Sequence, residues 1–126
     1  SEKDLRDFYK RLLNFTISSS ALMGKYQEIH GLNRYSTEGY YPEVYSYVRW
    51  SDTQKLIVIA NFSAVHTSHF ELKIPANVIA AWKLKDGVYP IKDQLYEKNS
   101  TQLQVVNGEG KVQISIAPLE SFIYQL

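Results

Sequence analysis

The feature that most constrains the fold is an alternation of apolar and polar residues that recurs from residue 44 to the end of the chain. The segment VYSYVRW places Val44 and Val48 on one face of an extended chain, and Tyr45 and Tyr47 on the other. A period of two residues is typical of a β-strand with one buried face. We therefore predict that this segment forms a strand.

Further short segments of this kind follow, separated by turn residues. They are LIVIANF from residue 56, FELKI from residue 70, the stretch around Trp82, and segments with Leu103 and Val105, with Val112, Ile114 and Ile116, and with Phe122, Tyr124 and Leu126. SDTQ at 51–54, KDG at 85–87 and NGEG at 107–110 are turn signals. About eight short strands at this spacing predict a mainly β, antiparallel sandwich or barrel.

The beginning of the chain has a different period. Five residues recur at steps of three and four, which places them on one face of a helix: Leu5, Phe8, Tyr9, Leu12 and Leu13. A run of three serines then ends the pattern, because serine side chains compete for backbone hydrogen bonds. We predict one amphipathic helix before the strands. Its apolar face must pack either on the β domain or on something outside this chain.

Composition excludes several classes of function. The 14 basic and 13 acidic residues give a net charge of +1 without runs of like charge, so we expect neither nucleic acid nor a membrane surface as partner. No apolar stretch approaches the roughly 20 residues that span a bilayer. The absence of cysteine excludes disulfides and thiolate metal sites, and it leaves the compartment open.

The sequence contains no motif typical of a catalytic, cofactor or metal site. It has no G-x-S-x-G turn, no glycine-rich phosphate loop and no H-E-x-x-H motif. His66 and His69 are three residues apart, but a metal requires at least three converging ligands, so a plain loop is the preferred interpretation. Asn61 begins a glycosylation sequon but directly follows an apolar strand, which favours a role in a turn. We predict no catalytic residue, no metal and no cofactor.

Ten tyrosines are the one unusual feature of the composition. Tyr40, Tyr41, Tyr45 and Tyr47 lie close together in the sequence. Aromatic rings with a polar tip can stack on sugars, so these four are candidate carbohydrate-binding residues. The alternative interpretation is that the rings fill the core or a seam with another domain. Trp82, in an apolar stretch, is predicted to lie in the core.

Several segments, taken in order, resemble one known family. LRDFYKRLLNF followed by SSSALMGKYQEI resembles the last helix of the catalytic (β/α)8 barrel of the α-amylase family, glycoside hydrolase family 13, and its link to an all-β C-terminal domain. VYSYVRWSDTQKLIVIANFS resembles the hairpin that follows in that domain, and LKIP and VQISIAPLESFIYQL resemble its later strands. The resemblance spans nearly the whole chain.

This resemblance implies an antiparallel Greek-key β-sandwich preceded by one amphipathic helix. Residues 1–17 would be the last helix of a truncated barrel, and residues 18–126 the C-terminal domain. The parent would hydrolyse or transfer α-glucosidic bonds, while this domain would be non-catalytic and support its own barrel. The family's catalytic carboxylates lie upstream of the last helix, so none maps onto this chain. The barrel contacts would then be Leu5, Phe8, Leu12 and Leu13.

Two other functions stay open at this point. The domain could be a carbohydrate-binding module that takes starch or maltooligosaccharides on its tyrosines. It could also be an unrelated immunoglobulin-like adhesion domain, because sandwiches recur without shared function. A free adhesion domain needs no amphipathic helix, so the predicted helix counts against the immunoglobulin-like interpretation. An exposed aromatic platform would favour sugar binding, and aromatic rings buried with the helix would favour the structural role.

Overall fold

The structure, a computed structural model, describes residues 24–96 and 100–126. Eight strands and two short helices lie in these ranges: β1 (Lys25–Glu28), α1 (His30–Ser36), β2 (Val44–Trp50), β3 (Lys55–Asn61), β4 (Ser68–Ile74), α2 (Ala76–Ala81), β5 (Gly87–Asp93), β6 (Ser100–Val106), β7 (Glu109–Ile116) and β8 (Ser121–Gln125). The predicted N-terminal helix, with Leu5, Phe8, Leu12 and Leu13, lies outside the described residues.

All eight strands pair antiparallel in one curled sheet, in the order β1-β2-β3-β8-β5-β6-β7-β4. Strands β5 and β8 meet over only two described residue pairs, Lys92 with Gln125 and Asp93 with Tyr124. This short junction divides the sheet into a first half-sheet, β1-β2-β3-β8, and a second half-sheet, β5-β6-β7-β4. Strands β5, β6 and β7 are consecutive and β4 lies beside β7, which is a Greek-key order. The predicted antiparallel Greek-key arrangement is confirmed.

The two half-sheets enclose one hydrophobic core. A single buried cluster contains Val44, Val48, Ile57 and Ile59 of the first half-sheet together with Leu72, Ile91, Leu103 and Val112 of the second. A core shared by two facing sheets is the packing of a sandwich, and the β5–β8 junction is its corner. The β-sandwich prediction is therefore confirmed.

The segment before Trp82 is helical, which corrects the prediction of a strand there. Pro75 precedes the helix α2, and its carbonyl accepts the N–H groups of Val78 and Ile79 at 3.0 and 3.3 Å. Both of these side chains are buried, so a short helix brings adjacent apolar residues to the core, which an alternating strand cannot do. Trp82 is 3% exposed, which confirms its predicted place in the core.

Helix α1 interrupts the β pattern between β1 and β2 and was not predicted. The buried Asn33 side chain ties it to β4: its amide donates to the carbonyls of Ile29 and Lys73 at 2.9 and 3.0 Å. Its carbonyl oxygen accepts the N–H of Lys73 at 2.8 Å. This pairing depends on a residue 40 positions away, so no local sequence signal reveals it.

Buried polar side chains also fix two corners of the sandwich. The amide of Asn61 donates to the carbonyls of His66 at 2.8 Å and Ala117 at 3.1 Å, and its oxygen accepts the N–H of Ser63 at 3.0 Å. The predicted turn role of Asn61 agrees with these bonds. At the β5–β8 corner, Asp93 accepts backbone N–H groups within 3.0–3.2 Å from Leu95, Tyr96 and Ile123.

Candidate functional site

The outer faces of the two half-sheets differ in chemistry. The second half-sheet carries polar outward side chains, among them Gln102, Gln104 and Lys111. Glu71 accepts a hydrogen bond from the amide of Gln113 at 2.7 Å and lies 3.9 Å from the Lys111 ammonium. An antiparallel sheet with one face in water is expected to show this pattern. The second half-sheet therefore has the outer surface of a solvated domain.

The first half-sheet carries apolar residues on its outer face as well as on its inner face. Cross-strand pairing places Val58 beside Ile123, and Leu56 lies on the same side of β3. These three side chains are 0–3% exposed and form a second cluster with Leu95, against which Tyr47 packs. Strand β3 is thus buried on both sides, which is the reason for its uninterrupted apolar run.

Three tyrosines and one arginine continue this outer cluster across β2 and β1. We call Tyr26, Tyr45, Tyr47 and Arg49 the tyrosine face. The phenol oxygens of Tyr26 and Tyr45 are 2.8 Å apart, and the Tyr47 ring centroid lies 5.2 Å from that of Tyr26 and 6.0 Å from that of Tyr45. The Arg49 guanidinium carbon is 5.5 Å from the Tyr26 centroid. These side chains form one continuous surface.

Two opposite charges act on the phenols of the tyrosine face, those of Arg49 and Glu28. The hydrogen bond that the Tyr45 phenol shares with Tyr26, together with burial, raises the pKa of Tyr45 to about 12. Burial likewise raises the pKa of Tyr47 above its usual value. Both phenols are therefore protonated near neutral pH and are unsuited to transfer protons there. Their chemistry is that of a contact surface with hydrogen-bonding tips.

The structure separates the four tyrosines that the sequence grouped as carbohydrate-binding candidates. Tyr45 and Tyr47 are neighbours on the tyrosine face. Tyr41 lies elsewhere, 44% exposed, with its ring centroid 5.5 Å from that of His66. Tyr40 is 5% exposed in the core, and its hydroxyl lies 2.8 Å from Ser46 Oγ. This burial removes Tyr40 from any surface patch, because a sugar cannot reach its ring in this fold.

The described part of the chain shows no group of three or more His, Asp or Glu residues that could hold a metal ion. The two histidines weighed as ligands have different neighbours, since His66 lies on Tyr41 and His69 Nδ1 is 2.9 Å from Ser115 Oγ. Within residues 24–96 and 100–126, no helix has the length and apolar character needed to cross a membrane.

Tyr26 and Arg49 belong to the site but were not among the candidate residues from the sequence. Arg49 is two positions after Tyr47, so the same alternation places it on the outer face. Tyr26 reaches this face because β1 pairs with β2, which sets Tyr26 opposite Arg49. The alternation could have identified Arg49, but the register of β1 is a tertiary feature.

Comparison with known proteins agrees with this fold. The profile of the α-amylase C-terminal all-β domain matches residues 36–126. Two crystal structures of AmyP are similar to 98% of this chain, which corresponds to 20% of each AmyP chain. One is a variant in complex with maltotriose, with 24% sequence identity and a TM-score of 0.57. The other is a complex with maltose, with 22% sequence identity and a TM-score of 0.55. A search of curated proteins gives no match. The chain spans about a fifth of the length of the AmyP structures, and at these identities the likeness shows the fold alone. Because the family profile covers most of its length, the chain belongs to the α-amylase C-terminal all-β domain family.

Proposed function

We propose that this chain is the non-catalytic C-terminal domain of an α-amylase-type glycoside hydrolase that acts on α-glucans. Its role is to support the catalytic barrel of the same protein by packing against it. Membership of the C-terminal domain family supports this, as do similar AmyP structures that are about five times as long and hold maltose or maltotriose. The isolated chain is expected to hydrolyse no starch or maltooligosaccharide.

The observation that carries the proposal is the difference between the two outer faces. A solvated sheet has no need of apolar residues on both sides, yet the first half-sheet buries Leu56, Val58 and Ile123 outside the main core. Tyrosines surround this cluster, and Tyr26 is 48% exposed. Tyrosine is enriched where domains meet, because its ring is apolar and its hydroxyl can bond to a partner. We propose the tyrosine face as the surface that meets the barrel.

Arg49 supports the same choice of face. Its Nε–H is buried and has no hydrogen-bond partner among the described residues. A buried donor without an acceptor costs about 1–3 kcal/mol, and such groups are rare in folded proteins. Arg49 is only partly buried, so a shift of its side chain would let the guanidinium donate to a carbonyl or carboxylate of an adjacent barrel, which the described residues do not provide for Nε.

The N-terminal segment completes the proposed interface. We propose residues 1–17 as the last barrel helix and residues 18–126 as the domain. An isolated helix of this length is marginal in water, so its apolar stripe requires cover. Burial of each large apolar side chain is worth about 1.5–3 kcal/mol. The proposed barrel contacts are Leu5, Phe8, Leu12 and Leu13.

Carbohydrate binding on the tyrosines is a weaker candidate. The exposed ring of Tyr26 favours it. However, the ring of Tyr47 is inclined by 44° to that of Tyr26 and by 53° to that of Tyr45. Rings inclined to this degree do not form a common plane on which adjacent sugar units could stack. The geometry therefore supports a packing surface better than a sugar platform.

The proposal is tested by alanine substitution at two exposed tyrosines in the full-length gene product. Tyr26→Ala alters the tyrosine face, and Tyr35→Ala alters a ring on α1 that is 84% exposed. We expect Tyr26→Ala to lower the unfolding temperature of the full-length protein more than that of the isolated chain, since only the former has the barrel contact. Tyr35→Ala should change neither. Equal effects of the two substitutions in the full-length protein would refute the proposed face.

A further inference from the structure

Both tryptophans of the chain line one open cleft at the end of the sandwich that also carries the β2–β3 turn. The cleft has a volume of about 500 Å³, within the range of small-ligand sites. The Trp50 and Trp82 ring centroids are 6.2 Å apart with the planes inclined by 78°, so the two rings pack edge to face. Trp82 is buried, whereas Trp50, which also lines the cleft, is only partly buried.

Charged side chains from separate segments form the rim of this cleft. Lys25 comes from β1, Asp52 from the β2–β3 turn, Lys55 from β3 and Lys83 from the residues after α2. None of the four makes an ion pair with another described residue. The rim thus offers ammonium donors and a carboxylate acceptor that no partner in the described part of the chain uses.

We infer that the cleft lined by Trp50 and Trp82 is a binding site for a short neutral oligosaccharide. Indole has the largest aromatic face among the side chains, and a pyranose ring can lie on it through its C–H groups. The lysines can donate to sugar oxygens, while the Asp52 carboxylate can accept from sugar hydroxyls. Hydrogen bonds to charged groups are the stronger ones.

Neutral sugar can use both signs of charge on this rim, whereas an anion can use only the lysines. The three lysines would attract a phosphate group, but the Asp52 carboxylate can only accept hydrogen bonds, so it would repel the phosphate and stay without a partner in it. A sugar hydroxyl both donates and accepts, and so it can use the carboxylate as well as the ammonium groups. The choice of an α-linked glucan as ligand rests on the proposed function, whereas the position of the site does not.

The test is a fluorescence titration of this chain with maltotriose, since its only two tryptophans line the cleft. Trp82→Phe would leave Trp50 as the single reporter. We expect saturable quenching with a Kd of about 1 mM, a common range for a small ligand with few contacts. Cellotriose tests the linkage, and glucose 1-phosphate tests an anion site.

Two exposed rim substitutions keep the test independent of folding. Asp52→Ala and Lys25→Ala should each weaken maltotriose binding by about tenfold, the loss expected for one charge-assisted hydrogen bond, with unchanged urea unfolding. Tyr45→Ala, on the tyrosine face, should leave the affinity unchanged. No saturable binding of either trisaccharide, binding only of the phosphate, or loss of binding in Tyr45→Ala alone would overturn the inference. Equal binding of cellotriose and maltotriose would leave the site in place and contradict only the α-glucan assignment. None of these outcomes bears on the packing test with Tyr26 and Tyr35.

Discussion

Replacing Asn61 with alanine should destabilise this domain more than any surface substitution of the same kind. Asn61 is 2% exposed at the end of β3. Its amide lies within 2.8–3.3 Å of three carbonyl oxygens, those of His66, Ile116 and Ala117, and its own oxygen accepts the N–H of Ser63. The side chain thus connects the β3–β4 loop to the β7–β8 loop.

The magnitude follows from these contacts. Alanine removes the donors to two well-placed carbonyls and the acceptor of one N–H group, at about 1 kcal/mol for each hydrogen bond. The groups left without a partner are partly buried, so they lose the bond without full compensation from water. We therefore expect Asn61→Ala to lower the free energy of unfolding by about 3–5 kcal/mol, a large part of the roughly 5–15 kcal/mol typical of a domain.

The measurement is urea unfolding of this chain followed by tryptophan fluorescence. Asn77→Ala is the matched control, because Asn77 is exposed and, among the described residues, its side chain bonds only to that of Gln27, at 2.7 and 3.2 Å. We expect the control to lose about 0.5 kcal/mol or less. Equal losses in the two variants would refute the view that the buried amide fixes this corner.

Three further predictions concern other parts of the fold. Gly39→Ala should destabilise the chain more than Gly108→Ala, as compared by urea unfolding. Both glycines have positive φ, but a Cβ at Gly39 would clash with the His69 carbonyl oxygen, whereas a Cβ at Gly108 would meet open space. Burial raises the pKa of Tyr40 from 10.0 to about 12. The part of the free energy of unfolding that depends on its protonated phenol, about 3 kcal/mol, is therefore complete below pH 10 and is lost as the pH rises to about 12. Tyr40→Phe should make the free energy of unfolding fall less steeply between these two pH values. Phe8→Ser should barely change the stability of this chain but should destabilise the full-length protein by several kcal/mol, measured by calorimetry.

Each of these has a result that would contradict it. Equal losses at the two glycines would mean that positive φ alone, without the backbone clash, sets the cost. An unchanged alkaline slope in Tyr40→Phe would show that this phenol ionises as freely in the folded chain as in the unfolded one. If Phe8→Ser unfolded this chain while the full-length protein tolerated it, residues 1–17 would belong to the sandwich.

Much of the fold could be predicted because local patterns decide it. The alternation in VYSYVRW places Val44, Ser46 and Val48 in the core, as found in β2. Asn107 and Gly108 have φ values of 53° and 78°, which the two-residue hairpin between β6 and β7 requires and which their residue types favour.

Other elements depend on tertiary partners that a local pattern cannot show. Strand β5 contains Pro90 and buries only Ile91 and Asp93, so its sequence is typical of a loop. A proline is tolerated in β5 because the described pairing of β5 with β8 begins at Lys92, so Pro90 has no described partner on the β8 side. Proximity in sequence likewise grouped Tyr40 with the outer tyrosines, although its place is set by Ser46 and the core.

Hydroxyl-radical footprinting with mass spectrometry tests whether the catalytic barrel covers the tyrosine face in the full-length protein. The labelling of Tyr26 is compared between this chain and the full-length gene product, with Tyr35, which is 84% exposed on α1, as internal reference. We expect the labelling of Tyr26 to fall severalfold in the full-length protein while that of Tyr35 is unchanged. Equal labelling of Tyr26 in the two proteins would contradict it.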